Sequence, residues 1–237
     1  MNVKFKEAYD IVVSELSEMK EVTGVLFFGS VQRGEETETS DLDFYATVSG
    51  KEGWNYKKIV KGIPVEIYFF PSNYWNNALQ RNHQIMIAFA EGTVVLNRHI
   101  EINELCNKAR SLFEKGPKSL TNLEINNWRI KLTELALDLE GISDNQSLES
   151  KVYIGIAVSE ALQAYFAFNK MWYHKLGRIP ESIINQDRVL SKLISDLSSS
   201  GENDIENIIT LIDHILQSNG GRLEEYNGPR VSVEVDT

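Results

Sequence analysis

Disulfide chemistry is closed to this chain, because its 237 residues hold a single cysteine, Cys106, with no partner to pair with. That suits a reducing compartment, and a cytoplasmic location is expected. No run of about 18 apolar residues occurs, and the opening MNVKFKEAYD lacks the basic and then apolar order of a secretory leader. Neither a membrane span nor export is expected. Histidine is scarce: the residues at 83, 99, 174 and 214 show no zinc-like spacing, which argues against a zinc hydrolase. A Gly-x-Ser-x-Gly elbow and a P-loop Gly-Lys-Ser are both missing. Internal repeats and low-complexity tracts are missing too. Positive charge is in deficit, 24 basic against 34 acidic residues, for a formal charge of −10. The summed field repels polyanions, so it disfavours duplex nucleic acid and favours a cationic small molecule over an anionic one.

What is present is ordinary for a folded protein, with 42% hydrophobic and 24% charged residues. The length allows one large domain or two smaller ones, and two are expected. Phe5, Tyr9, Val12, Leu16 and Met19 recur at three and four, marking an amphipathic helix that ends before Gly24. The continuous apolar run Val25 to Phe28 reads as a covered strand stopped by Gly29. Asp41 to Val48 and Ile63 to Phe70 read as two further strands. Ser72 reads as the N-cap of a helix running to about Ala90, followed by a strand at Val94 to Leu96 and a helix near Ile100 to Phe113. Breakers and charge gather at Lys115 to Ser119, and beyond them helical periodicity covers Leu120 to Glu140, Leu148 to Trp172, Glu181 to Leu197 and Asp204 to Gln217. The expected fold class is α+β: a small mixed-sheet domain over residues 1–117, then an all-α helical bundle over residues 118–237. The polar tail from Gly220 to Thr237 packs loosely.

The chemistry concentrates in FFGSVQRGEETETSDLDF, residues 27–44. On a strand, Asp41 and Asp43 point one way while Leu42 and Phe44 turn into the core. Two carboxylates about 7 Å apart on one face repel unless a cation lies between them, and a hard divalent ion such as Mg²⁺ meets that need with oxygen ligands. In Val65-Glu66-Ile67 the same alternation leaves Glu66 opposite the apolar face, so it meets the aspartates if the two strands pair. Gly29 and Ser30 stand where a strand ends and a helical turn begins. Their amides, the Ser30 hydroxyl and the Arg33 guanidinium can cradle a triphosphate, and Gly34 permits the turn. Taken singly, each has a plainer reading: a turn glycine, a solvated arginine, an exposed strand glutamate.

Together, Gly29-Ser30, Arg33-Gly34, Ser40-Asp41-Leu42-Asp43 and Val65-Glu66-Ile67 resemble the signature of the DNA polymerase β-like nucleotidyltransferase superfamily. A small nucleotidyltransferase domain followed by a helical bundle is most similar in plan to the aminoglycoside and lincosamide nucleotidyltransferases, which act in antibiotic resistance. The resemblance in motif spans about Val25 to Phe70; beyond that it is one of architecture. It implies transfer of a nucleoside monophosphate from a nucleoside triphosphate, with ATP expected, to a hydroxyl of a small acceptor, assisted by two Mg²⁺ ions. Asp41, Asp43 and Glu66 are then metal ligands, and Gly29 and Ser30 touch the triphosphate.

The acceptor hydroxyl must lose a proton, and the same resemblance points to a carboxylate on the first bundle helix, where Glu134 and Asp138 share a face and Glu140 lies nearby. A metal-bound hydroxide needs neither. In Trp172-Tyr173-His174-Lys175-Leu176-Gly177-Arg178, Lys175 or Arg178 can neutralise triphosphate oxygens, and Trp172 or Tyr173 can stack on a ring. The plainer reading is a helix end with packed aromatics and dipole-attracted cations. The alternative function is an antitoxin-like minimal nucleotidyltransferase that acts on or binds a protein partner. Acceptor identity and oligomeric state stay open, a homodimer being one arrangement allowed.

Overall fold

The computed structural model describes residues 1–142, 144, 147–173, 183, 186–199, 204–226 and 228. Helix α1 (Val3–Glu18) starts where Asn2 accepts a hydrogen bond from the Phe5 amide, and it buries Phe5, Ala8, Val12 and Leu16 on one stripe. Strand β1 (Val22–Phe28) runs into a single turn of helix, α2 (Ser30–Arg33), and β2 (Leu42–Val48) follows. Next come β3 (Trp54–Val60) and β4 (Ile63–Phe70), an antiparallel hairpin whose turn residues Lys61 and Gly62 both have positive φ. The unit closes with α3 (Ser72–Arg81), α4 (His83–Glu91), β5 (Thr93–Asn97) and α5 (Glu101–Lys115).

Several features differ from the periodicity. The strand β3 was not expected, because WNYKKIV lies at the edge of the sheet with most of its length exposed and so carries no burial alternation. The single helix expected from Ser72 to Ala90 is broken at Asn82, which is extended and accepts the Gln84 and Ile85 amides as the N-cap of α4. Pro71, not Ser72, takes the cap position of α3.

The five strands lie in the order β3-β4-β2-β1-β5; β2 and β4 are parallel and the other neighbours antiparallel. With helices on this mixed sheet and further helices after it, the fold is α+β. One sheet face carries Val25, Phe27, Leu42, Phe44, Val65, Ile67 and Phe69 against the buried stripe of α1. On the other, Tyr45 packs on Trp75 of α3 and Phe89 of α4, with ring centroids 4.5 and 5.5 Å away, and the Trp75 indole donates to the Ala46 carbonyl at 3.0 Å.

Packing divides the chain into two compact units, Met1–Gly116 and Pro117–Thr237. In the second, α6 (Asn122–Glu140) begins with a capping box between Thr121 and Glu124. It is followed by α7 (Leu148–Phe168), α8 (Arg188–Ser199) and α9 (Asp204–Gln217). Leu132, Ala136 and Leu139 of α6, Ala157 and Ala161 of α7, Leu190 of α8, and Ile208, Leu211 and Ile212 of α9 build its core. Helix α7 stops short of Trp172, because Lys170 turns to a φ of 54° and the Met171 amide folds back onto the Phe166 carbonyl. Helix α8 starts at Arg188, where Asp187 accepts the Leu190 amide; the expected start at Glu181 lies outside the described residues. No described helix is long and apolar enough to cross a membrane.

Phe44 is fully buried, with the Phe27 ring 5.1 Å away. Replacing it by alanine is expected to lower unfolding free energy by about 3–5 kcal/mol in urea denaturation. Ile59→Ser, at a position 75% exposed, is expected to change it by less than about 0.5 kcal/mol. Equal losses would contradict this placement of the core.

Candidate active site

Two strands running the same way bring carboxylates together. In the β2–β4 ladder Leu42 pairs with Val65, Asp43 with Glu66 and Phe44 with Ile67. Ladder partners share a face, so burial of the four apolar residues against α1 leaves Asp43 and Glu66 side by side on the other face, their backbones about 4.8 Å apart. Asp43 is only 9% exposed. A carboxylate that deep needs donors or a cation to stay ionised. Asp41 stands one residue before β2, outside the ladder and partly exposed.

Glu66 is anchored from two sides. The Tyr68 hydroxyl donates to Oε2 at 2.8 Å, and the Lys57 ammonium pairs with Oε1. Lys57 is the residue of β3 directly opposite Glu66, so one row across the sheet reads Lys57, Glu66, Asp43, Phe28. Tyr68 registers the acids: burial, then its hydrogen bond to Glu66, then the charges of Glu66, Asp43 and Asp41 push its hydroxyl up to about 12. Burial and the Asp43 charge raise Tyr45 likewise.

Gly29 borders Asp43 from the end of β1. Its φ of 93° and ψ of −171° lie in a region open essentially to glycine alone, and a Cβ there would stand 2.4 Å from Asp43 Oδ2. The missing side chain is what lets the carboxylate lie against the backbone. Ser30 donates to the Ser40 hydroxyl at 3.1 Å, and Ser40 accepts the Thr37 amide at 2.9 Å, tying the loop before Asp41 to α2. The Arg33 guanidinium is held by Glu35 at 2.7 Å, so its charge is balanced locally.

The donors are all oxygens, which favours hard divalent cations over zinc or copper. Among the described residues no three His, Cys, Asp or Glu side chains stand close enough together to cage an ion. Asp43 and Glu66 nevertheless fit magnesium, which uses one or two carboxylates and completes its shell with water and substrate phosphates. That fit requires Lys57 to leave Glu66.

The remaining expected residues belong to the second unit. Glu134 and Asp138 are both exposed on one side of α6, while Glu140 pairs with Arg222 at 2.6 Å. Tyr173 packs edge-on against Phe166 in the helical core, as the plainer reading of that turn has it. Lys175 and Arg178 lie outside the described residues. Lys57 and Tyr68 were missed by sequence reasoning. Tyr68 could have been found, since it sits two residues from Glu66 on the same face; Lys57 could not without the edge strand.

Residues 10–92 match the nucleotidyltransferase domain family. That span holds Gly29, Asp41, Asp43, Lys57, Glu66 and Tyr68, and it leaves out α5 and the whole helical unit. Solved structures also match, twelve chains in all. One is the crystal structure, at 1.90 Å, of a nucleotidyltransferase-like protein from Exiguobacterium sibiricum 255-15. It is 16% identical, with a TM-score of 0.48, and the match covers 91% of this chain and 75% of that one. A likeness of that degree carries no functional information. No curated protein matches.

Gly29→Ala is expected to cost about 1–3 kcal/mol in urea denaturation, since it adds backbone strain and drives Asp43 from its place. Gly34→Ala, where φ is 76° but no atom lies within 4 Å of an added Cβ, is expected to cost less. The reverse order would contradict the close approach of Asp43 to Gly29.

Proposed function

We propose that this chain transfers a nucleoside monophosphate from a nucleoside triphosphate, with ATP the favoured donor, to a hydroxyl of a small cationic acceptor such as an aminoglycoside. The observation that carries this reading is the in-register placement of Asp43 and Glu66 beside Gly29, inside the span that matches the nucleotidyltransferase domain.

Divalent cations, two in this reading, would be held by Asp43 and Glu66, with Asp41, one residue before β2, closing on them as the ions bind, and would neutralise charge on the entering and leaving oxygens at the α-phosphorus. The amides that open α2 and the Ser30 hydroxyl supply donors to phosphate oxygens. The acceptor oxygen bonds to the α-phosphorus as the bond from that phosphorus to the bridging oxygen breaks, and pyrophosphate departs. The hydroxyl proton goes to a carboxylate, for which Glu134 and Asp138 are the candidates. Asp138 also lines a concavity of about 380 Å³ with Asp144, Glu149 and Tyr153, an anionic wall suited to a cationic acceptor. The net charge of −10 points the same way.

The test is incubation of the protein with labelled nucleoside triphosphates, Mg²⁺ and a panel of aminoglycosides, lincosamides and protein hydroxyl acceptors. A labelled small-molecule adduct is expected, arrested by chelation of the metal. Asp43→Asn is expected to slow it by roughly a hundred-fold or more, with the fold retained by circular dichroism. Transfer by Asp43→Asn at the wild-type rate would remove that residue from the mechanism, and label on a protein acceptor alone would favour the antitoxin-like reading.

A further inference from the structure

The two oxygens of Glu66 are not equivalent. Tyr68, two residues along β4, holds Oε2 and so orients the carboxylate, while Oε1 carries the Lys57 ammonium. Lys57 reaches it from the edge strand with 64% of its side chain exposed, against 25% for Glu66. An ammonium on a long, solvated stem exchanges readily, and an exposed pair of this kind is weak. Its neighbour Lys58 points to the opposite sheet face, where it pairs with Glu15 of α1. One strand thus carries two lysines in adjacent positions, and only one of them faces the carboxylates.

Resting on the reading of Asp43 and Glu66 as an ion-binding pair, we propose that Lys57 is an internal stand-in for the divalent cation. It holds Oε1 of Glu66 while no ion is bound and gives that oxygen up when one arrives. Two carboxylates placed in adjacent ladder positions repel, and a tethered monovalent cation keeps them in register at little cost in affinity for the ion that replaces it. Lys57 is therefore a positioning residue whose ammonium competes with metal. The Tyr68 hydroxyl does not compete, since it donates to the other oxygen and keeps the carboxylate aimed during the exchange.

The experiment is a titration of Mn²⁺ into full-length, nucleotide-free protein, with free ion followed by electron paramagnetic resonance, for the wild type, Lys57→Met, Lys58→Met and Asp43→Asn. Lys57→Met is expected to bind Mn²⁺ about three-fold more tightly than wild type, the gain from removing an exposed competing pair. Lys58→Met makes the same charge change on the other face and is expected to leave affinity unchanged. Lys57→Met binding no more tightly than wild type, or Lys58→Met gaining as much, overturns the role of Lys57. Asp43→Asn reports on the underlying reading: a loss of about ten-fold or more leaves the ion site standing whatever Lys57 does. Wild-type affinity in Asp43→Asn takes down the ion site, and the inference with it.

Discussion

Like charge in adjacent positions of a parallel ladder is the constraint on which the rest of the site depends. Strands β2 and β4 run side by side with Asp43 facing Glu66, and neither can slip by one residue against the other without driving its core residue, Phe44 or Ile67, out of the core and its acid into it. Two unit charges about 5 Å apart repel by about 3 kcal/mol at an effective dielectric near 20. An exposed lysine pair returns at most about 1 kcal/mol. A divalent cation shared by both carboxylates removes the repulsion at its source, so a fold that holds this register firmly gains most when the ion is present.

The firmness comes from what lies on each side of the sheet. Below, the stripe of α1 locks Leu42, Phe44, Val65 and Ile67. Above, Tyr45, Trp75 and Phe89 form an aromatic block that covers the same face as the acids two ladder positions further on. The carboxylates thus sit where the packed part of the face ends and the solvated part begins. Gly29, without a side chain, and Tyr68, with a hydroxyl that stays protonated well above neutral pH, are the two neighbours that tolerate a buried Asp43 and an oriented Glu66.

Much of this was legible in the residues. Alternation on a strand placed Asp43 opposite Leu42 and Phe44, and Glu66 opposite Val65 and Ile67, with no help from tertiary structure. The α+β class followed from strand-like runs before residue 117 and helical periodicity after it. The edge strand was not legible, because β3 buries little: Trp54, Tyr56 and Lys57 are exposed and carry no pattern that separates strand from loop. Lys57 was hidden with it. The break at Asn82 was masked because apolar spacing continues through it, and only the side-chain cap on Gln84 and Ile85 divides the helices. That helices follow residue 117 was readable from the spacing, whereas the exposed Glu134 and Asp138 look like any other acids on a solvated helix face.

The central claim is that Asp43 and Glu66 jointly hold a divalent cation that carries a triphosphate. Its most direct measurement is a crystal structure of the protein with Mn²⁺ and a non-hydrolysable triphosphate analogue, with the ion located by anomalous scattering. The account predicts a manganese peak bound by both carboxylates and a phosphate oxygen, with Lys57 displaced from Glu66. Manganese elsewhere, with Lys57 still on Glu66 and the triphosphate away from Gly29, would contradict it.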